Sequence, residues 1–273
     1  MVANLFEGSF SSYMNSTRGI ELDELRQYQP GDEFRSIDWK ATTRTGALHV
    51  RLKLVDKRTN IFFLVDRSES TKFGTTRFTK EKIQSSIIST LVQSATETSN
   101  LVSFISFTDK VENYIPPHAG QKEGVRLAGN MLSAKVKGRR TNINCAFKFL
   151  NGKRFAPSLV FVLSDFFAPF DYESSLKSLV RKHDVIPIII SDIREESLPK
   201  ARGFVAVKDL ETHGVKYLDL SQDLNANLQH IKLFNKLNLG YLTLKTDMKE
   251  EQWVSALSDF FDKRIRRRSR IKR

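Results

Sequence analysis

The sequence predicts an α/β domain, a mostly parallel sheet with helices packed on both faces. Three observations carry this. Continuous apolar runs recur along the chain: Ile61-Phe62-Phe63-Leu64-Val65, Leu159-Val160-Phe161-Val162-Leu163 and Val185-Ile186-Pro187-Ile188-Ile189-Ile190. Such runs suit strands covered on both sides. Segments of helical period separate them, and this alternation implies right-handed crossovers and parallel neighbours. Hydrophobic residues make up 40% of the 273, including 20 Phe, enough for a packed core and too many for a disordered chain.

Residues 1–47 are polar and broken by turn formers, Gly8, Gly19, Pro30-Gly31-Asp32 and Gly46. They show little helical or strand period and are read as an N-terminal extension. Leu48, Val50, Leu52 and Leu54 then alternate with His49, Arg51 and Lys53, the period of a half-buried strand. The run 61–65 is a buried strand. Ile83, Ile87, Ile88, Leu91, Val92 and Ala95 fall on one wide stripe and predict a helix. Residues 101–107 read as a strand, 121–135 as a helix and 142–151 as a short helix. After the buried strand at 159–163 come a helix over 172–183 and the strand 185–190, whose Pro187 favours an edge or a strand start. Short strands follow at 204–208 and 216–220, a helix over 222–238 and a last strand at 241–244. A helix over about 249–264 closes the domain, with Trp253, Leu257, Phe260 and Phe261 on one stripe. One domain over 48–262, followed by a basic tail at 263–273, fits better than two domains.

Lys and Arg number 44 against 31 Asp and Glu, a net charge of +13, which invites an anionic partner. Eight of those charges lie in 263–273, leaving +5 on the remaining chain. Nucleic acid or an anionic membrane surface would be drawn to this tail. The alternative is a solvated end after the last helix, without aromatic residues for base stacking. The one cysteine, Cys145, cannot close an internal disulfide and excludes thiolate-rich zinc or iron–sulfur sites within the chain. No run approaches the roughly 18–20 apolar residues of a membrane span, and residues 1–7 lack the pattern of a secretory signal. A reduced, cytoplasmic setting is expected.

In an open α/β sheet, ligands bind beyond the carboxyl ends of the strands. There the first buried strand runs into Asp66-Arg67-Ser68-Glu69-Ser70, and the strand 159–163 into Ser164-Asp165. Between them, Gly138-Arg139-Arg140-Thr141-Asn142 precedes a helix. Two carboxylates and three hydroxyls are hard oxygen ligands, suited to Mg²⁺ and its octahedron of about six oxygens. The alternative is that Asp66 and Asp165 only accept backbone hydrogen bonds and cap helices.

Asp66-x-Ser68-x-Ser70 with Thr141 and Asp165 resembles the metal-ion-dependent adhesion site of von Willebrand factor A domains. The resemblance implies Ser68, Ser70 and Thr141 as direct ligands, with Asp66 and Asp165 acting through water. It leaves one coordination place for an Asp or Glu carboxylate of a protein partner. The implied metal is Mg²⁺, with Mn²⁺ or Ca²⁺ as alternatives. Arg67 and Glu69 depart from the small or apolar residues usual in those slots. Glu69 is positioned to fold back as an internal ligand, and Arg67 to weaken the metal.

The stretch Leu25-Arg26-Gln27-Tyr28-Gln29-Pro30-Gly31-Asp32, running into Arg35-Ser36-Ile37-Asp38-Trp39, is similar to the signature of the domain of unknown function 58 family. The likeness spans about 19–262. It implies a bacterial or archaeal protein with a von Willebrand A-like domain, acting as an accessory or client-recruiting partner of a MoxR-type AAA+ ATPase. Arg26, Asp32, Arg35 and Asp38 are placed to form an ion-pair network, and Trp39 to anchor the segment on the sheet. The segment then either closes the domain edge or, with Glu69, forms a partner-binding surface.

No Walker loop, Gly-x-Ser-x-Gly, His-Glu-x-x-His or Gly-x-Gly-x-x-Gly occurs. The five histidines, His49, His118, His183, His230 and His213, lack triad or ligand spacing. Cys145 is read as a small buried apolar residue. No catalytic residue is assigned, although a metal with an open place and Glu69 as base outlines a metal-assisted hydrolase. The function expected is metal-dependent protein binding, with nucleic-acid binding through the tail as the alternative.

Overall fold

The computed structural model describes residues 9–11, 13, 14, 25–32, 34, 37–51, 58–196, 204–208, 215–219 and 228–271. β1 (Leu25–Gln27) and β2 (His49–Arg51) pair antiparallel around α1 (Trp39–Thr45). Then follow β3 (Asn60–Asp66), α2 (Lys80–Glu97), β4 (Leu101–Phe107), β5 (Val111–His118), α3 (Gln121–Ser133) and α4 (Ile143–Asn151). The remaining elements are β6 (Leu159–Ser164), α5 (Glu173–Lys182), β7 (Asp184–Ser191), α6 (Ile193–Glu196), β8 (Phe204–Lys208), β9 (Val215–Asp219), α7 (Leu228–Lys236), β10 (Leu242–Lys245) and α8 (Glu250–Ile271).

The six-stranded sheet has the spatial order β10-β7-β6-β3-β4-β5. Its pairings are parallel except that β5 runs antiparallel to β4 at one edge. This is the mostly parallel, doubly wound α/β arrangement that the sequence predicts, with helices on both faces. Alternate residues of β3 serve opposite faces, as the pleat requires. Ile61, Phe63 and Val65 pack with α2, α3 and α8, while Phe62 and Leu64 pack with α4, α5 and α7. Both faces are covered, so β3 and β6 are apolar at almost every position.

Several elements differ from expectation. The half-buried strand expected from Leu48 on is reduced to β2, which lies outside the main sheet; residues 52–57 fall outside the described residues. Helix α1 lies in the supposedly irregular N-terminal segment. Asp38 caps it by accepting from the Lys40 and Ala41 N–H groups at 3.0 Å, and Gly46 ends it at φ 72°, the left-handed turn that favours glycine. Pro187 lies inside β7, which has neighbours on both sides. However, β10 pairs β7 only from Ile188 onward, so at Pro187 the strand has β6 alone beside it and an edge rule still applies locally. Strands β8 and β9 occur as expected, pairing with each other. Helix α7 begins at Leu228, the expected stretch before it lying outside the described residues. Helix α8 runs on to Ile271, so the basic run to that point continues the helix. Arg264 in this run bonds Asp184, and Arg267 donates to Asn238 at 2.7 Å. No described helix is long and apolar enough to cross a membrane.

Candidate metal centre

The site forms where β3, β6 and the loop before α4 end side by side. Asp66 closes β3 at 0% exposure. One of its oxygens accepts from the Ser68 N–H at 2.9 Å, turning the chain sharply. The other accepts from the Ser164 hydroxyl at 2.6 Å, from the end of β6. A 3-10 turn over Glu69–Lys72 follows, with the Thr71 hydroxyl donating to the Ser68 carbonyl at 2.7 Å. Ser68 Oγ and Ser70 Oγ share a hydrogen bond of 3.0 Å, and Thr141 Oγ1 donates to Ser68 Oγ at 2.8 Å. The three hydroxyls expected to act together therefore form one contiguous cluster, with half-buried Ser70 toward solvent.

Thr141 is delivered by a loop with little freedom. The Glu69 N–H donates to the Arg139 carbonyl at 2.9 Å, and the Asn142 N–H to the Thr108 carbonyl at 2.9 Å. Glu112, from β5, accepts from the Gly138 N–H at 2.8 Å, the Lys137 N–H at 3.2 Å and the Thr108 hydroxyl at 2.6 Å. Gly138 is required by close approach: a Cβ there would stand 1.7 Å from Asp109 Oδ1 and 2.2 Å from Thr108 Oγ1.

The electrostatics are uneven. Burial, and then the charge of nearby Asp165, push the Asp66 carboxyl up to about 7, because no described cation partners it. Asp165, 1% exposed, is already satisfied: Lys80 Nζ donates to one oxygen at 2.7 Å, and the Phe167 N–H to the other at 3.0 Å. Phe166 between them takes φ 58°, an uncommon conformation for a bulky residue.

The donor set fits a hard divalent cation. In an octahedron with bonds near 2.1 Å, adjacent ligands stand about 3.0 Å apart, close to the 3.0 and 2.8 Å at which Ser70 and Thr141 stand from Ser68. A buried carboxylate without a counter-charge lies behind them. Among the described residues, no three His, Cys, Asp or Glu side chains gather for a metal, which sets zinc-type chemistry aside there and leaves oxygen-ligand ions.

The flanking residues act otherwise than expected. Arg67 points away from the hydroxyls: it donates to the Met131 carbonyl at 2.7 Å in the last turn of α3 and pairs with Glu81 at 3.4 Å. A helix C-terminus attracts a cation, which accounts for the direction Arg67 takes. Glu69 pairs with Lys72 at 2.8 Å and is not folded back on the site. In the N-terminal segment, Arg26 grips Asp32 through two bonds of 2.6 and 2.7 Å, and Asp38 caps α1. Trp39 is 57% exposed and packs edge-on against Phe34 at 6.0 Å, so it does not anchor the segment on the sheet. Arg35 lies outside the described residues.

Residues that the sequence reading passed over complete the strand-end cluster. Lys80, 1% exposed, also donates to Glu195 at 2.6 Å. Burial alone would raise Asp192, but hydrogen bonds from Thr246, Thr75 and the Arg194 N–H hold it below the usual carboxylate range. Both had a signal. Ser191-Asp192 after an apolar run repeats Ser164-Asp165, and Lys80 sits three residues before Ile83, on the buried stripe of its helix. Burial pushes the Cys145 thiol up to about 12, in keeping with an apolar role.

Comparison with known proteins places the chain among relatives. The family model described as "Protein of unknown function DUF58" matches residues 24–231. The "Uncharacterized protein Rv1480" of Mycobacterium tuberculosis is 24% identical over 260 residues, covering 91% of this chain and 80% of that one. Among solved structures, an aerotolerance-related membrane protein from Bacteroides fragilis aligns with a TM-score of 0.55 at 13% identity, over 75% of this chain and 99% of that one. The conserved hypothetical protein BatB from Bacteroides thetaiotaomicron aligns with a TM-score of 0.53 at 12% identity, over 75% and 98%. At such identities the likeness to these two structures concerns the fold.

Proposed function

The chain belongs to the DUF58 family, and from that premise we propose that it is a protein-interaction module whose docking point is a divalent cation held by Ser68, Ser70 and Thr141. The observation that carries the reading is the contiguous hydroxyl cluster, 2.8 and 3.0 Å between neighbours, above the buried, uncompensated Asp66. Bound there, the ion supplies a Lewis-acidic point of attachment for a carboxylate. The chain's own residues do the rest. Ser164 and the Ser68 N–H hold Asp66 in place as the charge behind the hydroxyls. Glu112 and Gly138 hold the loop that presents Thr141.

The partner in this reading is a protein offering an Asp or Glu side chain. The loop leading to Thr141 supports that choice, because Lys135, Lys137, Arg139 and Arg140 are all exposed on it and cast a positive potential over the mouth of the site. The proposal extends to an accessory role beside a MoxR-type AAA+ ATPase, as the resemblance of the N-terminal stretch implies. Capture of partners from a bacterial lysate on the immobilised protein, with Mg²⁺ or with EDTA, tests it. A partner held in Mg²⁺, released by EDTA and lost in Ser68→Ala supports the reading. Capture indifferent to both EDTA and Ser68→Ala overturns it.

A further inference from the structure

Lys80 is the least expected residue at the site. It opens α2, is 1% exposed, and lies between two carboxylates from different strand ends: Asp165 at 2.7 Å and Glu195 at 2.6 Å. The rings of Phe73 and Phe167 stand 5.8 and 5.4 Å from its ammonium nitrogen. Burial opposes the charge, but Asp165 and Glu195 outweigh it and hold the ammonium's pKa above its ordinary value. A lysine so enclosed is held as a cation by its two carboxylate partners.

We infer that Lys80 sets the metal affinity of the site by holding Asp165 away from the ion, which leaves Asp66 as the carboxylate behind the hydroxyls. Both oxygens of Asp165 are engaged, one by Lys80 and one by the Phe167 N–H. A divalent ion on three neutral hydroxyls and Asp66 then keeps one unit of positive charge, which a single partner carboxylate neutralises. The ion is accordingly held weakly alone and firmly in the ternary complex, and metal and partner strengthen each other's binding by the same factor. This inference rests on the metal-site reading above and adds a regulatory residue to it.

Mn²⁺ binding by calorimetry, together with thermal melts in EDTA and in Mn²⁺, separates the two claims in wild type, Ser68→Ala, Lys80→Met, Asp165→Asn and the double variant Lys80→Met/Asp165→Asn. Freeing Asp165 places a further charge beside the ion, so Lys80→Met is expected to bind Mn²⁺ about tenfold or more tightly. It should also melt lower in EDTA and show a larger Mn²⁺-induced rise in Tm. The double variant, which removes one charge of each sign, returns to wild-type affinity, and Asp165→Asn alone weakens binding by less than about tenfold, because its charge is felt at Asp66 without being bonded to the ion. Should Lys80→Met fail to fold in EDTA, Asp165→Asn decides, because a loss of about tenfold or more there makes Asp165 a holder of the metal and overturns the inference. Binding by folded Lys80→Met that is no tighter than wild type also overturns it. If wild type binds through Ser68 and Lys80→Met does not tighten, only the role of Lys80 fails. If wild type binds no Mn²⁺ but Lys80→Met does, Lys80 occupies the cation's role and the metal-docking reading fails. If neither binds, both fail.

Discussion

Gly138→Ala tests whether the loop before α4 positions Thr141. The new Cβ would meet Thr108 Oγ1 at 2.2 Å and Asp109 Oδ1 at 1.7 Å, whereas real Cβ atoms essentially never come within 3.0 Å. Asp109 is exposed and can swing aside. Thr108 is buried, with its hydroxyl held by Glu112 at 2.6 Å. The loop must therefore retreat by roughly 0.8 Å, or Thr108 must release Glu112. Either way, a hydrogen bond to the Glu112 carboxylate is lost or stretched, and such charge-assisted bonds contribute about 1.5–3 kcal/mol. At about 2–4 °C per kcal/mol for a chain of this size, Tm should fall by about 3–12 °C. Thr141 lies three residues on, so Mn²⁺ affinity should fall with it, about tenfold for a displaced ligand. Differential scanning calorimetry and Mn²⁺ titration read the two effects. A variant melting within about 1 °C of wild type, with unchanged Mn²⁺ affinity, would refute the positioning argument.

Asp192→Ala leaves the donors of Thr75, Thr246 and Arg194 unmet and should cost about 1–3 kcal/mol for each donor left buried without a partner, read by urea unfolding; a total loss below about 1 kcal/mol contradicts that role. His230 is buried, stacks on Tyr172 and hydrogen-bonds it, and burial lowers its pKa to about 4 from 6.5. The unfolded chain therefore binds the extra proton between pH 6.5 and 4, and stability is complete above that window. It falls by about 3 kcal/mol as pH drops through it. Replacing His230 by Gln should flatten that part of the stability–pH curve, and an unchanged slope contradicts the assignment. Trp39→Ala removes a mostly exposed ring and should shift stability by no more than about 0.5 kcal/mol; a larger loss on denaturant unfolding would make Trp39 an anchor after all.

How much was legible follows from where the local signal was strong. Strands β3 and β6, apolar on both faces, and α2 with its stripe stand out because burial on the sheet imposes their patterns. The hydroxyl cluster could be read because its members follow directly on such strands. Strand β5 could not. It is an edge strand with irregular register against β4 and carries Pro116 and Pro117, which argue against a central strand although an edge tolerates them. Helix α1 is rich in threonine and lacks an apolar stripe, so only its caps, Asp38 and Gly46, announce it. The direction of Arg67 depends on carbonyls at the end of α3, 64 residues away in sequence. Such a distant partner leaves no trace in local pattern, whereas the Glu69–Lys72 pair and the place of Lys80 on the stripe of its helix are local signals open to a sequence reading.

The central claim is most directly tested by anomalous diffraction from crystals grown with Mn²⁺. The account predicts one strong peak about 2.2 Å from the hydroxyl oxygens of Ser68, Ser70 and Thr141, with Asp165 still bonded to Lys80. A peak elsewhere, or none at saturating Mn²⁺ with the three hydroxyls still bonded to one another, would contradict it.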